Sequence, residues 1–327
     1  MIRNAFFAAS LATAAIAAAI ASFAHAADFP TKPIRIVVPY VPGGANDLIA
    51  RLIAPKLQER LGQPVVVENR PGAGGNTGTE FVARAEPDGY SLVVAANFVV
   101  MSPLFAQQPG YTVTDLAPLG RVATQPVVLA VNSKSPINTM KDLIELARSR
   151  EKGKELTYGT PGIGTPHHFF VEQFARKLGI SLLHVPYKGA APVVADLVAG
   201  RIDFAPGSET TSSPATIAGQ LRQLAVLDDK RLPSLPNLPT SAESGAPGVK
   251  ATFWYGLFAP AKTPAAVVAQ LNRALNDTLS SAEMQAQLRQ RGYVPSEPRD
   301  PQAFAADLRA ELAEWEQLAK SGFRIRD

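Results

Sequence analysis

The sequence predicts an α/β protein of two lobes, each a mostly parallel sheet flanked by helices, with a cleft between the lobes. Three observations predict it. Short β-branched runs alternate with helical patterns, a polar or glycine-rich loop follows each strand, and the plan occurs twice along the chain. Length agrees, since about 300 residues remain after an expected leader, and a domain takes roughly 100–200 residues.

That leader is residues 1–26. Arg3 is followed by an apolar, alanine-rich run from Ala5 to Phe23 and then by the small-x-small site Ala24-His25-Ala26. This pattern is a signal peptide cleaved near Ala26, and no basic stop-transfer cluster follows it.

The first strand is "PIRIVVP" (33–39), an apolar run suited to burial on both faces. The loop "VPGGAND" leads into a helix with Leu48, Leu52, Ile53, Leu57 and Leu61 at helical spacing, closed by Gly62 and disturbed by Pro55. "PVVVE" (64–68) reads as a second buried strand, followed by "NRPGAGGNTG" and a helix over "TEFVARAEPDG". "YSLVVAA" is the third strand. In the second half, "ELTYG" is a strand and "TPGIG" its loop. The next helix has Thr165 as N-cap, Pro166 at its first position and Gly179 as its stop. "SLLHVPY", the loop "KGAA", a helix from Pro192 to Gly200, the strand "RIDFA" and a loop "PGSETTSS" complete the repeat.

Three further helix patterns follow "ATFWYGLFAP", so the chain is expected to return to the first lobe. Lobe 1 is residues 27–125 and 253–327, lobe 2 is 126–252, and crossings near Pro126 and Thr252 form a hinge supported by Trp254 and Tyr255. Right-handed crossovers place all strand-to-helix loops on one edge of each sheet, where open α/β sheets bind ligands.

Composition narrows the chemistry. The chain has no cysteine, which excludes disulfides, thiolate metal sites, a cysteine nucleophile and a lipidated cysteine. A net charge of +4 without a basic block gives no nucleic-acid footprint. Of four histidines, His25 lies in the leader, leaving His167, His168 and His184, which lack metal-ligand spacing; no metal or cofactor is expected. Neither a G-x-S-x-G elbow nor a phosphate-binding glycine motif is present.

The glycine loops therefore carry the expected chemistry. "PGGAND", "RPGAGGN", "GIGT" and "YKGAA" each precede a helix, whose first N–H groups are unpaired and attract anions. Carboxylate or phosphate groups fit such donors. Asp47 reads as a cap or loop brace rather than a general base, and Arg70 as a loop brace. Lys188 reads either as a cleft cation or as a solvated loop lysine. His167 and His168 stand at a helix start within reach of a ligand, whereas His184 reads as a core residue. Tyr40, Phe98 and Tyr187 fall at strand ends, covering an apolar part of a ligand or packing under the loops.

The stretch "KPIRIVVPYVPGGANDLIARLIAPKLQERLGQPVVVENRPGAGGNTG" resembles the N-terminal part of the Bug family, the extracytoplasmic receptors of tripartite tricarboxylate transporters. "HVPYKGAAPVVADLVAGRID", "LRQLAVLDDKRLPSLPNLPTSAESG" and "WYGLFAPAKTP" resemble its later blocks in order, so the likeness runs from Phe29 to Leu318. The resemblance implies a two-lobed, type II periplasmic binding protein. It implies no catalysis, a monomer, and membrane permease subunits as partners. A small carboxylate-bearing ligand would lie in the interlobe cleft, one carboxylate on the amides of the first two loops. Carried over by position, the contacts are Tyr40, Gly43, Gly44, Ala45, Asn46 and Asp47, then Gly74, Gly75 and Phe98. Lobe 2 adds Thr160, Gly164, Thr165, His168, Lys188 and Gly189, with Gly207 and Ser208 after the "RIDF" strand.

Five positions depart from the family pattern. Ala45 and Asn46 replace Gly and Thr, Ala190 replaces a second Gly, and Gly207-Ser208 stand where Asp-Asn is common. Losing that acid removes a partner for an ammonium group, so a ligand without an amine is expected, such as a di- or tricarboxylate or an aromatic carboxylate. Two other readings remain open: an exported enzyme on a carboxylated substrate using Asp47 or His168, and a receptor serving a sensor.

Overall fold

The structure is a computed structural model that describes residues 29–105 and 110–320. The expected signal peptide lies outside the described residues.

Lobe 1 opens with β1 (Ile34–Val38), α1 (Ala45–Leu61), β2 (Val65–Asn69), α2 (Asn76–Ala83), β3 (Ser91–Ala96) and α3 (Phe98–Phe105). β1 pairs in parallel with both β2 and β3. β4 (Leu116–Pro126) and β10 (Thr252–Pro260) join antiparallel, with β11 (Val294–Pro295) at the margin, giving the order β11-β4-β10-β3-β1-β2. Lobe 2 holds β5 (Val128–Asn132), α4 (Met140–Ser149), β6 (Leu156–Thr160), α5 (Pro166–Leu178) and β7 (Leu182–Pro186). It continues through α6 (Ala190–Val198), β8 (Phe204–Gly207), α7 (Glu209–Ile217) and β9 (Leu221–Val226), in the sheet order β7-β6-β8-β5-β9. Helices α8 (Ala265–Leu279), α9 (Ala282–Gln290) and α10 (Pro301–Lys320) follow β10.

The expectation of mostly parallel sheets holds for the strands that precede glycine loops. The strands that carry the chain between sheets run antiparallel, so each sheet is mixed. Only Val127 separates β4 in one sheet from β5 in the other. It donates to Ala251 O (2.9 Å) and accepts from Leu227 N (2.7 Å), which ties the strands at the crossing.

Register fixes where the loops lie. The last residue of β3, Ala96, pairs with Tyr255 near the start of β10, and Thr252 at that start pairs with Pro126. The end of β8, Gly207, pairs with Val128 at the start of β5. The loop-bearing edges of both sheets therefore lie on the side where the chain crosses between them.

Several local expectations are corrected. In α1 Ile53 and Leu57 lie in the core as expected, with Leu52 and Leu61 packed at its margin, while Leu48 is exposed and Ile49, Ala50 and Ala54 complete the buried face. The helix runs through Pro55 and ends at Gly62. β2 is an edge strand with Val66 exposed rather than a buried one. α6 begins two residues before Pro192, at Ala190. The stretch after "RIDFA" is not all loop: Pro206 and Gly207 extend β8, and Glu209 starts α7.

A ring cluster links the lobes. Phe105 of α3 lies 4.8 Å from Phe169 of α5, centroid to centroid, and Phe169 lies 5.4 Å from Trp315 of α10. One continuous apolar core thereby includes side chains of both sheets.

Candidate functional site

Four helices start at the loop edges: α1, α2, α5 and α6. Their N-caps are Gly44, Gly75, Thr165 and Gly189, and none supplies a side-chain cap hydrogen bond. Elsewhere Thr139 caps α4 and Ser281 caps α9. α8 also lacks a cap, since it follows Pro264, so what distinguishes the four is their shared position. At α1, α5 and α6 the first-turn N–H groups carry positive partial charge, whereas α2 is entered through a tight turn in which Asn76 N donates to Ala73 O and Thr77 N to Gly72 O (3.4 Å).

In lobe 1 the two loops are braced as one unit. The Asp47 carboxylate accepts from Gly43 N (3.0 Å), Arg51 Nε (2.9 Å) and Asn69 Nδ2 (2.9 Å). Asn69 also donates to Tyr40 O (3.0 Å) and accepts from Arg51 (3.0 Å). Burial works to raise the Asp47 pKa, but the hydrogen bonds from Arg51, Gly43 and Asn69 outweigh it and hold the carboxyl below its ordinary value. Asp47 is therefore ionised and bound to its neighbours through both oxygens. Tyr40 donates its hydroxyl to Gly74 O (2.9 Å) and meets the buried Phe98 edge-on at 5.4 Å.

The second loop is tightly wound. Ala73 (φ 46°), Gly74 (φ 66°) and Gly75 (φ 107°) are successive left-handed residues. A Cβ on Gly75 would lie 2.8 Å from the Phe98 ring and 3.0 Å from Tyr40 Oη. Gly78 lets α2 back onto both loops, because a Cβ there would lie 2.7 Å from Arg70 O and 2.9 Å from Pro39 Cα. Arg70 pairs with Glu68 and covers the Phe81 ring at 3.7 Å, a bracing position.

In lobe 2 histidines hold the β6–α5 loop. His184 Nε2 lies 2.7 Å from Thr160 Oγ1, which donates to Gly162 O (3.1 Å). Gly164 N donates to His168 Nδ1 (3.3 Å), and the His168 and His184 rings stack at 3.7 Å. Thr165 turns its hydroxyl to Gly162 O (2.8 Å) instead of capping α5. Thr160 and His168 are fully buried, so their side chains brace the loop from beneath. Gly189 N donates to Pro161 O (3.2 Å), joining this loop to the next. Tyr187 is held by Asp196 (2.8 Å), while Lys188 is exposed. Gly207 and the buried Ser208 sit at the end of β8.

These histidines predict a pH dependence. Burial pushes His168 down to about 3, with the neighbouring His184 adding, and burial pushes His184 and His167 down to about 4. Unfolded histidine takes its proton near pH 6.5, whereas the folded groups stay neutral until about pH 4 or 3. The unfolded chain thus binds more protons in that window. Stability is complete above pH 6.5 and is lost as pH falls toward 4. Calorimetric melting from pH 7 to 4 should show a falling Tm with a shallower slope in His184→Gln; a level Tm would contradict the assignment.

Sequence reasoning placed Tyr40, Asp47, Gly74 and Gly75 in neighbouring loops, and the structure brings them together. It missed Arg51 and underrated Asn69. The spacing of Asp47 and Arg51, four apart on a helix, was the available signal. His184 was read as core; its role under the loop depends on strand register, which sequence does not display.

Beside the crossing lies a cavity of about 450 Å³, lined by Asn97, Trp254, Glu311 and Trp315 with Phe170 and Lys177 of α5. The Glu311 carboxyl there accepts from Asn97 (3.0 Å) and Trp254 Nε1 (2.6 Å), and burial raises its pKa. The wall combines two carboxyls, Glu311 and Glu314, with two lysines, Lys177 and Lys250, so its charge is mixed, unlike the loop edges. Among the described residues no cluster of three metal-binding side chains occurs, and no helix is long and apolar enough to cross a membrane.

Two lobes with uncapped helix starts on the edges beside their crossing define a solute-binding protein of the two-lobed α/β type. The model of the tripartite tricarboxylate transporter family receptor matches residues 49–321, and the chain belongs to that family. Protein BugT of Bordetella pertussis is 33% identical over 314 residues, covering 93% of this chain and 92% of the relative. The solved structure of R. palustris Rpa4515 with adipate superposes with a TM-score of 0.81 at 37% identity, over 90% of this chain and 98% of that one. MatC of Rhodopseudomonas palustris with bound malate gives 0.79 at 29% identity, over 89% and 99%.

Proposed function

We propose that the protein is an exported periplasmic receptor that captures a small carboxylate without an amine, such as a di- or tricarboxylate, for a tripartite transporter. The observation that carries this reading is the set of uncapped helix starts on both loop edges. They offer neutral backbone donors, which stabilise a carboxylate by charge-assisted hydrogen bonds without protonating it. Adipate and malate in the two related structures support the ligand class.

Residues 27–125 with 253–327, and residues 126–252, are proposed to move as two lobes about the crossing. A ligand held by amides of both satisfies them together only in the closed state, so binding shifts the population toward closure. In this reading Gly44, Ala45, Asn46 and Gly74 face one carboxylate, while Gly43 and Gly75, whose N–H groups donate to Asp47 and to Gly72 O, set the shape of the two loops around it. Gly164, Thr165, Lys188, Gly189 and Gly207 face the rest, with Tyr40, Asp47, Phe98, Thr160, His168 and Ser208 shaping the walls. No bond is made or broken, and the closed monomer is handed to the permease.

Calorimetric titration with succinate, citrate, terephthalate, aspartate and glutamate tests the ligand class. Binding of at least one amine-free acid, with a smaller radius of gyration at saturation, is expected. Binding of the amino acids alone, or an unchanged radius, would refute the proposal.

A further inference from the structure

We propose that Glu311 of α10 is a positioning residue for ligand capture: it anchors the two crossing strands to β3, so that the lobes close about one short pivot. The inference rests on the receptor reading above and assigns a part to a residue outside the loop edges. At the crossing, Thr252 and Phe253 of β10 pair with Pro126 and Gln125 of β4, so the two strands leave lobe 1 as a ribbon. On the lobe 2 side the ribbon is tied by backbone, Ala251 N donating to Leu227 O (2.9 Å) and Val127 N to Ala251 O (2.9 Å). On the lobe 1 side the pairing of β10 with β3 ends at Tyr255 and Ala96. One residue nearer the crossing, side chains take over. Trp254 N donates to Asn97 Oδ1 (2.9 Å), Asn97 Nδ2 donates to Glu311 (3.0 Å), and Trp254 Nε1 donates to the other Glu311 oxygen (2.6 Å).

A carboxylate suits this place because it accepts on both oxygens and brings no donor of its own; Trp315, one turn along α10, donates to it as well. The cluster also reaches both halves of the site. Asn97 directly precedes Phe98, whose ring meets Tyr40 of the first glycine loop at 5.4 Å, and Trp315 lies 5.4 Å from Phe169 of α5 in lobe 2. A hinge works through a few residues that absorb the backbone change. Without Glu311 the end of the ribbon is loosened from β3 and the rotation spreads along it. The open states then multiply, and the one closed geometry in which both loop edges meet the ligand is less populated. A ligand leaves a closed receptor only after opening, so the effect falls on release.

The test uses whichever of succinate, citrate and terephthalate binds the wild type most tightly, at a temperature well below every melting midpoint. The chain has two tryptophans, and both touch Glu311, so stopped-flow fluorescence follows binding and release directly. Glu311→Ala should release the acid about tenfold faster, the scale of one hydrogen bond, with an unchanged association rate. Glu311→Gln, which keeps an accepting oxygen and the shape, should fall between and serves where Glu311→Ala does not fold. Val267→Ala, a core truncation beside Phe29 and Gly89 at the far end of lobe 1, should lower the melting temperature and leave release unchanged. Unchanged release in both Glu311 variants, an equal acceleration in Val267→Ala, or a loss carried by association alone would overturn the inference and leave the receptor reading intact. If no acid binds the wild type, the receptor reading fails, and scattering without ligand decides the anchor. A larger radius of gyration in Glu311→Ala than in wild type and Val267→Ala supports it, and equal radii overturn it.

Discussion

Gly75→Ala should abolish ligand binding and lower the unfolding free energy by about 3 kcal/mol. Two effects add. At φ 107° an alanine lies outside the conformations open to L-residues, at a cost of about 1–2 kcal/mol. Its Cβ would also approach the Phe98 ring to 2.8 Å, and Phe98 is fully buried with no room to retreat, so overpacking costs about 1–3 kcal/mol more. Relief comes through a shift of the loop, which displaces the N–H groups at the start of α2 and breaks the Tyr40–Gly74 bond. Denaturant unfolding and calorimetry check both parts. Full affinity in a destabilised Gly75→Ala would remove this loop from the site.

Asp47→Ala should cost about 2–3 kcal/mol and weaken ligand binding about a hundredfold. The carboxylate is 3% exposed and receives three hydrogen bonds, one from a guanidinium. Removing it leaves Gly43 N, Asn69 and Arg51 without their acceptor, and bonds to charged groups are worth about 1.5–3 kcal/mol. The loss in affinity follows from geometry, because the same bonds hold the first glycine loop against the second. Asp47→Asn keeps an acceptor but loses the charge, so it should fall between Asp47→Ala and wild type. If Asp47→Ala lost stability alone, the brace would be irrelevant to binding. A competing reading of Asp47 as the general base of an enzyme predicts lost turnover instead; against it, the side chain is 3% exposed and both oxygens already accept hydrogen bonds.

Much of the fold is legible along the chain because its signals are local. The β-branched runs of β1 and β3, the Pro166 start and Gly179 stop of α5, and the glycine loops all announce themselves within a few residues. Errors arose where position in a sheet decided. Pro64 to Glu68 read as a buried strand, yet β2 (Val65–Asn69) is an edge, because strand order is not written in the strand. Leu48 read as core and is exposed, because the neighbours of α1 select its buried face. The antiparallel strands β4 and β10 carry the crossing and were seen only through the return of the chain near Thr252.

The candidate site divides the same way. Sequence alone determined which loops carry glycine before a helix, that no cysteine or metal-spaced histidine is present, and that helix starts recur after glycine loops at strand ends. Those properties follow from residue type and short-range geometry. Only the tertiary structure decided that Asp47 braces two loops through Asn69, that His168 and His184 stack beneath a third, and that Glu311 holds Asn97 and Trp254 beside the crossing. Each of those depends on groups distant in sequence meeting within hydrogen-bond range, and packing of the whole chain sets such distances.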